Sequence, residues 1–311
     1  MSSSPANSAL APGRRRSFFK GSSVRGYGTF TPYLLLLPAF AVYAVFLLYP
    51  FGQAAQISLY DWNGMTVGTW VGFDNYISLF QDHGLRSAFL HAFILIIFYS
   101  IIPLICGLAL AAVLNRARVK GLGFFRTIFF LPQVIALVAA ATAWSQIYQY
   151  KGSLNGLLEA IGLGRFVQDW LGDYTLALPS IGVIGTWVEI GLIVVLLLAG
   201  MSRIDNALFE AARLDGAGPF REFFAITLPA IRGEIVVALT LTIIAALKNF
   251  DLVYMTTSGG PGGTTTVPSY EVYYRAFIVK QVGLAAAIGI TLAVIILIIN
   301  VAVNQIGSRE S

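Results

Sequence analysis

The sequence predicts an all-α integral membrane protein with six transmembrane helices, and three observations carry that prediction. Of 311 residues, 57% are hydrophobic and 11% charged, with a mean hydropathy of +0.76; such a chain cannot cover its apolar surface in water. The apolar residues gather in six runs, each near or above the roughly 20 residues that a bilayer core requires. These runs are continuous, whereas a membrane barrel would alternate over ten-residue segments.

In chain order the expected spans are Tyr33 to Ser58, Ala88 to Leu114, Thr127 to Ile147, Ala177 to Met201, Ile235 to Met255 and Val282 to Val303. Residues 1–29, rich in serine, glycine and arginine, read as a flexible basic tail with too few large apolar residues to pack. The first apolar run is about 26 residues long, beyond the core of a signal peptide, and no small-x-small site follows it, so it reads as a retained span. There is no internal repeat and no room for a soluble catalytic domain. The expected organisation is a tail over 1–29, one membrane domain over 30–306, and a short tail over 307–311.

Orientation follows from the basic residues. Arg14, Arg15, Arg16, Lys20 and Arg25 precede the first span, and Arg116, Arg118, Lys120 and Arg126 lie between the second and third. Arg203, Arg213, Arg221 and Arg232 lie between the fourth and fifth, and Arg309 ends the chain. These fourteen share one side, against five on the other: Arg86, Lys151, Arg165, Arg275 and Lys280. The positive-inside rule then places both termini and the loop around Glu210 in the cytoplasm. The same bias accounts for the net charge of +5, so no nucleic-acid partner is called for.

Several chemistries are excluded by what the chain lacks. No Gly-rich loop ends in Gly-Lys-Ser/Thr, so an ATPase would have to be another polypeptide. His83, read as part of an external loop, and His91, near a span end, have no partner at metal-ligand spacing and suit hydrogen bonding at the interface. Cys106 is the only cysteine, which leaves no disulfide and no cysteine metal site. Ser258-Gly259-Gly260-Pro261-Gly262-Gly263 follows a span without opening a Lys-Ser helix, and reads as a tight external turn. No catalytic residues and no metal site are expected.

Ionisable groups inside a span cost roughly 2.5–3.5 kcal/mol each on insertion scales, so they mark function by default. Glu189 lies at the middle of the fourth span, and Lys248-Asn249-Phe250-Asp251 interrupts the fifth. Two readings are open. Glu189, Lys248 and Asn249 face a polar translocation cavity where they hydrogen-bond substrate hydroxyls while Trp187 or Phe250 stacks on a ring face, or Glu189 and Lys248 form a structural ion pair between helices.

The polar island between the fourth and fifth spans is the most informative stretch. Asp205 is a good helix N-cap, Ile204 and Phe209 are spaced as a hydrophobic staple, and Gly216 suits a left-handed exit. Leu208, Ala211, Ala212 and Asp215 share one face of the short helix between them, with two alanines that permit close approach. Gly218-Pro219 restarts a second helix, proline being tolerated in its first turn.

This stretch, Glu210-Ala211-Ala212-Arg213-Leu214-Asp215-Gly216 followed by Ile226-Thr227-Leu228-Pro229, resembles the EAA loop of binding-protein-dependent ABC importers. The likeness extends through Pro32-Tyr33-Leu34, Tyr49-Pro50, Tyr60-Asp61-Trp62, Val71-Gly72-Phe73-Asp74-Asn75-Tyr76, Phe124-Phe125-Arg126, Leu131-Pro132 and Gly259-Gly260-Pro261 to carbohydrate permeases of the maltose and glycerol-phosphate type. The resemblance implies a type I importer core in a bacterial or archaeal cytoplasmic membrane. It implies a second homologous permease, two copies of a cytoplasmic ATPase that bind ATP and Mg, and an extracytoplasmic solute-binding protein. It also implies that Glu210, Ala211, Ala212, Asp215 and Gly216 dock the ATPase, and that Thr242, Lys248, Asn249 and Gln133 help line the sugar site. Glu189 and Lys248 are charged where maltose-type permeases tend to be neutral. Two alternatives remain: the same machinery importing glycerol-3-phosphate or its diesters, and an ion-driven secondary carrier, which would have no use for a docking loop.

Overall fold

The computed structural model describes residues 31–116 and 122–308. The tail expected over 1–29, Arg118, Lys120 and Arg309 lie outside the described residues. These residues fall into two units, 31–51 and 52–308.

The first unit is most of α1 (Tyr33–Ile57), whose apolar side chains are exposed from Tyr33 to Phe51. The second unit holds three further helices long and apolar enough to cross a membrane and two bent pairs that each make one more if counted as a single span. Three of the six are straight and near their expected bounds: α1, α7 (Ala177–Met201) and α13 (Val282–Ser308). The second, α3 (His83–Leu114), is 32 residues long and begins five residues before the expected Ala88. His83 therefore opens this helix and is not part of a loop. Asp82 sets the start by accepting hydrogen bonds from the N–H groups of Gly84 (2.8 Å) and Leu85 (3.3 Å).

The other two crossings are bent pairs. The third, expected as one helix over Thr127 to Ile147, is α4 (Leu122–Val134) and α5 (Leu137–Ile147), meeting at 94°. Pro132 withholds a backbone donor in the last turn of α4, and Ala136 is extended at ψ 129°, so the chain turns there. The fifth comprises α9 (Pro219–Ala230) and α10 (Arg232–Leu247), bent by 68°. It stops at Lys248, as the polar interruption requires, and resumes as α11 (Asp251–Thr256).

Short elements join the crossings. A two-residue hairpin of β1 (Tyr60–Asp61) and β2 (Thr69–Trp70) and the helix α2 (Asp74–Gln81) link α1 to α3. The helix α6 (Ser153–Ala160) follows α5, and the Asn155 amide there donates to the carbonyls of Tyr150 (3.0 Å) and Gln168 (2.8 Å). Between α11 and α12 (Pro268–Tyr273) lies the Gly-Gly-Pro turn, tight as expected, with Ser258, Gly259, Gly262 and Gly263 all at positive φ. His91 on α3 reaches this turn, its Nδ1 lying 2.8 Å from the Thr266 carbonyl.

The helix α7 is the most buried crossing and the centre of the second unit, packed against α3, α4 and α10. Lipid tails are as apolar as leucine, so close packing, not release from water, joins helices here. Small residues supply the closeness: Gly191 lies so near the Phe129 carbonyl of α4 that a Cβ would overlap it. One buried cluster unites Leu95, Tyr99, Ile181, Ile184, Ala246 and Leu252, and a second unites Ala111, Val194, Leu197, Met201 and Ala238.

Candidate functional site

Two regions hold the polar side chains that the sequence singles out. The first is a cavity of about 270 Å³ at the point where α10 breaks. Glu189 enters from the middle of α7, and Lys248, Asn249, Phe250 and Asp251 come from the interruption, because helix termination at Lys248 turns successive side chains inward. Tyr99 adds a phenol from α3, within a π-helical turn over Ile97–Ile101. Such turns re-aim a side chain out of helical phase.

The chemistry of this cavity is unsatisfied. Tyr99 and Asn249 are 4% and 6% exposed, and the Tyr99 hydroxyl and the Asn249 amide nitrogen lie close enough to interact but make no well-formed hydrogen bond. Buried polar groups are almost always paired, and those left over call for an explanation. Among the described residues, no ion pair within 4.0 Å joins Glu189 to Lys248, so the interhelical pair is absent from this conformation. Lys248 is exposed in the middle of a crossing, where lipid would penalise it.

Other residues singled out in the sequence lie elsewhere. The Thr242 hydroxyl is fully buried and donates to the Ala238 carbonyl (2.9 Å) within its own helix. Trp187 makes an edge contact with Trp144 (5.6 Å between centroids) and is not among the cavity-lining residues. Phe250 does line it, stacked on Tyr254 at 5.1 Å. Gln133 sits just before the bend of the third crossing, and its side-chain carbonyl is buried without a partner. Asp251 and Tyr99 line the cavity in addition to the residues expected from the sequence. Asp251 had a signal in the polar interruption, and Tyr99-Ser100 is a polar pair inside an apolar run.

The second region is the loop between the fourth and fifth crossings. Asp205 accepts from the Ala207 N–H (3.0 Å) and starts α8 (Asn206–Leu214). Gly216 ends it at φ 77°, with the Ala217 N–H returning to the Ala212 carbonyl (2.8 Å). Gly218 and Pro219 begin α9. Glu210, Ala211, Asp215 and Gly216 are exposed and Ala212 is half-buried, beside the outward apolar side chains of Leu214 and Phe220. Glu210 also lines a cleft of about 420 Å³ with Asn206, Arg213 and Phe223, while Ala212 and Asp215 border a smaller one with Arg221 and Ile226.

A brace not anticipated from the sequence holds the two loop helices together. Arg213 on α8 donates from Nε (2.8 Å) and Nη2 (3.4 Å) to the buried carboxylate of Glu222 on α9. The hydrogen bond and charge of Glu222, with a smaller contribution from Glu210, hold the Arg213 guanidinium above its usual range. The pair is bidentate, which fixes an angle as well as a distance.

Crossings around an unsatisfied polar cavity, joined on one side by a braced amphipathic hairpin, define a membrane transport subunit. Residues 107–311 match the family described as binding-protein-dependent transport system inner membrane component. A probable ABC transporter permease protein, YurN of Bacillus subtilis, is 38% identical over 280 residues, covering 88% of this chain and 93% of that protein. The diacetylchitobiose uptake system permease protein NgcF of Streptomyces coelicolor is 34% identical over 83% of this chain and 76% of that protein. A solved bacterial ABC transporter involved in the import of the acidic polysaccharide alginate contains a chain that superposes with a TM-score of 0.77 at 26% identity, covering 90% of this chain and 96% of that one. The chain belongs to the family of binding-protein-dependent transport system inner membrane components. It is a multi-pass permease subunit of an ABC importer, and not an enzyme.

Proposed function

We propose that this chain forms half of the translocation pathway of an ATP-driven sugar importer. The observation that carries the proposal is the convergence of Glu189, Lys248 and Asn249 on one cavity in which buried polar atoms make no well-formed hydrogen bond. A sugar hydroxyl both donates and accepts, so it satisfies a carboxylate, an ammonium and an amide together, and Phe250 offers an apolar face for the ring. The exposed Lys248 faces the water-filled path that a second homologous permease completes. Similarity to a diacetylchitobiose permease and to an alginate importer supports a saccharide cargo.

The loop of α8 and α9 is the coupling element. Glu210 pairs with a basic residue of a cytoplasmic ATPase, Ala211 and Ala212 admit its groove closely, and Gly216 makes the turn. Asp215 completes the docking face. Two ATPase copies hold ATP and Mg, and this chain contributes no cofactor site. ATP binding draws the ATPases together, the hairpin moves with its groove, and the crossings rock around a sugar delivered by an extracytoplasmic binding protein.

The test is uptake of labelled di- and oligosaccharides in cells lacking this chain, complemented with wild type or with Glu210→Lys. One saccharide should require the wild-type chain, and a well-expressed Glu210→Lys should fail to restore its uptake. Transport by Glu210→Lys at the wild-type rate, or uptake that survives ATP depletion with ion gradients intact, would overturn the coupling role.

A further inference from the structure

The charges in the cavity bear on its cargo, an inference that rests on the transport reading above. Two carboxylates, Glu189 and Asp251, and one ammonium, Lys248, line the same 270 Å³. Among the described residues no two of the three are paired within 4.0 Å. With all three ionised the sum is negative, and with one carboxylate protonated it is zero. Lys248 alone would favour an anion, but Asp251 lies three residues away on the same segment and Glu189 faces it from α7.

The remaining polar atoms are the buried Tyr99 hydroxyl and the buried Asn249 amide nitrogen, near each other but without a well-formed hydrogen bond. Both can donate to the hydroxyl or acetamido oxygens of an uncharged sugar. A phosphate or uronate would meet the same donors together with two carboxylates against one ammonium, and like charges close to the ligand penalise it.

We infer that the cavity admits neutral or cationic saccharides and rejects anionic ones, with Asp251 and Tyr99 as specificity-determining residues. Asp251 repels the phosphate or uronate, and Tyr99 donates its hydroxyl hydrogen to a cargo oxygen. This separates the chain's cargo from glycerol-phosphate esters and from acidic polysaccharides.

The experiment is ATP-dependent uptake by the complete importer in cells, using maltose, diacetylchitobiose, chitosan disaccharide, an alginate disaccharide and glycerophosphoglycerol as probes. Wild type should favour neutral or cationic probes over anionic ones by at least about tenfold, the ratio produced by 1.4 kcal/mol. Asp251→Asn should narrow that ratio. Tyr99→Phe, which keeps the ring and its packing, should raise the concentration for half-maximal uptake. If an anionic probe is the one carried, or Asp251→Asn leaves the ratio unchanged, charge selection is wrong, while chain-dependent ATP-driven uptake leaves the importer reading in place. If no probe depends on the chain, the saccharide reading falls, and this inference with it.

Discussion

Gly191 and Asp82 each carry an individual test. Gly191 sits where a Cβ would overlap the Phe129 carbonyl, a backbone atom that cannot rotate away. Gly191→Ala should therefore cost about 1–3 kcal/mol, the usual penalty for overpacking, and lower the unfolding midpoint of the detergent-solubilised protein. Gly156, in α6, has open space at the same position, and Gly156→Ala should be neutral or slightly stabilising. Equal midpoints for the two variants would show that the α4–α7 contact is looser than described. Asp82 both caps α3 and pairs with Arg275 at 3.0 Å. Partial burial pushes its carboxyl up, but the N–H groups of Leu85 and Gly84 and the Arg275 guanidinium outweigh that and hold it below the usual range. A depressed carboxylate stabilises above its unfolded value and loses that contribution as pH falls through its folded value. Asp82→Asn should accordingly reduce stability at neutral pH and flatten the acid side of the stability profile. A profile parallel to wild type down to pH 3 would refute this.

The loop of α8 and α9 can transmit force only if it moves as one piece. The Arg213–Glu222 pair is the cross-link, because Glu222 is buried where α9 begins and Arg213 reaches it from the preceding helix. Glu222→Gln removes the charge and keeps the shape. It should lower uptake several-fold at unchanged expression, while ATP hydrolysis by the partner subunits becomes less responsive to cargo. Unaltered coupling in that variant would mean that the hairpin is rigid without the pair. Asp205, Gly216 and Pro219 were legible in the sequence because caps and turns obey rules over three or four residues. The brace was not, since Arg213 and Glu222 lie on different helices and their meeting depends on the turn at 215–218. The bend of the third crossing was equally hidden: Pro132 lies inside an apolar run that reads as continuous, and the direction of the break is set by packing on α7. At the cavity, Glu189 and Lys248 could be read because charges in a span are costly. Thr242, implied for the site only by the family resemblance, is turned by helical phase onto its own backbone.

For the whole molecule, six crossings follow only if each bent pair counts as one. The alternative, in which a 94° bend makes α4 and α5 a re-entrant segment, would reverse the side of everything beyond it. Length and apolar composition allow either. The positive charges decide, because Arg203, Arg213 and Arg221 lie on the same side as Arg116 and Arg126 only if the third crossing is a full one. Single cysteines test this in a Cys106→Ala background. Lys151→Cys lies in the exposed segment between α5 and α6, and Leu214→Cys replaces a side chain 89% exposed at the end of α8. An impermeant maleimide applied to intact cells, or to spheroplasts where an outer barrier exists, should label position 151 and leave position 214 unmodified until the membrane is permeabilised. Labelling of both from outside, or of 214 alone, would remove the loop from the ATPase side. Labelling of 214 alone is the pattern that a re-entrant third segment gives, and labelling of neither before permeabilisation would mean that α7 does not separate the two positions.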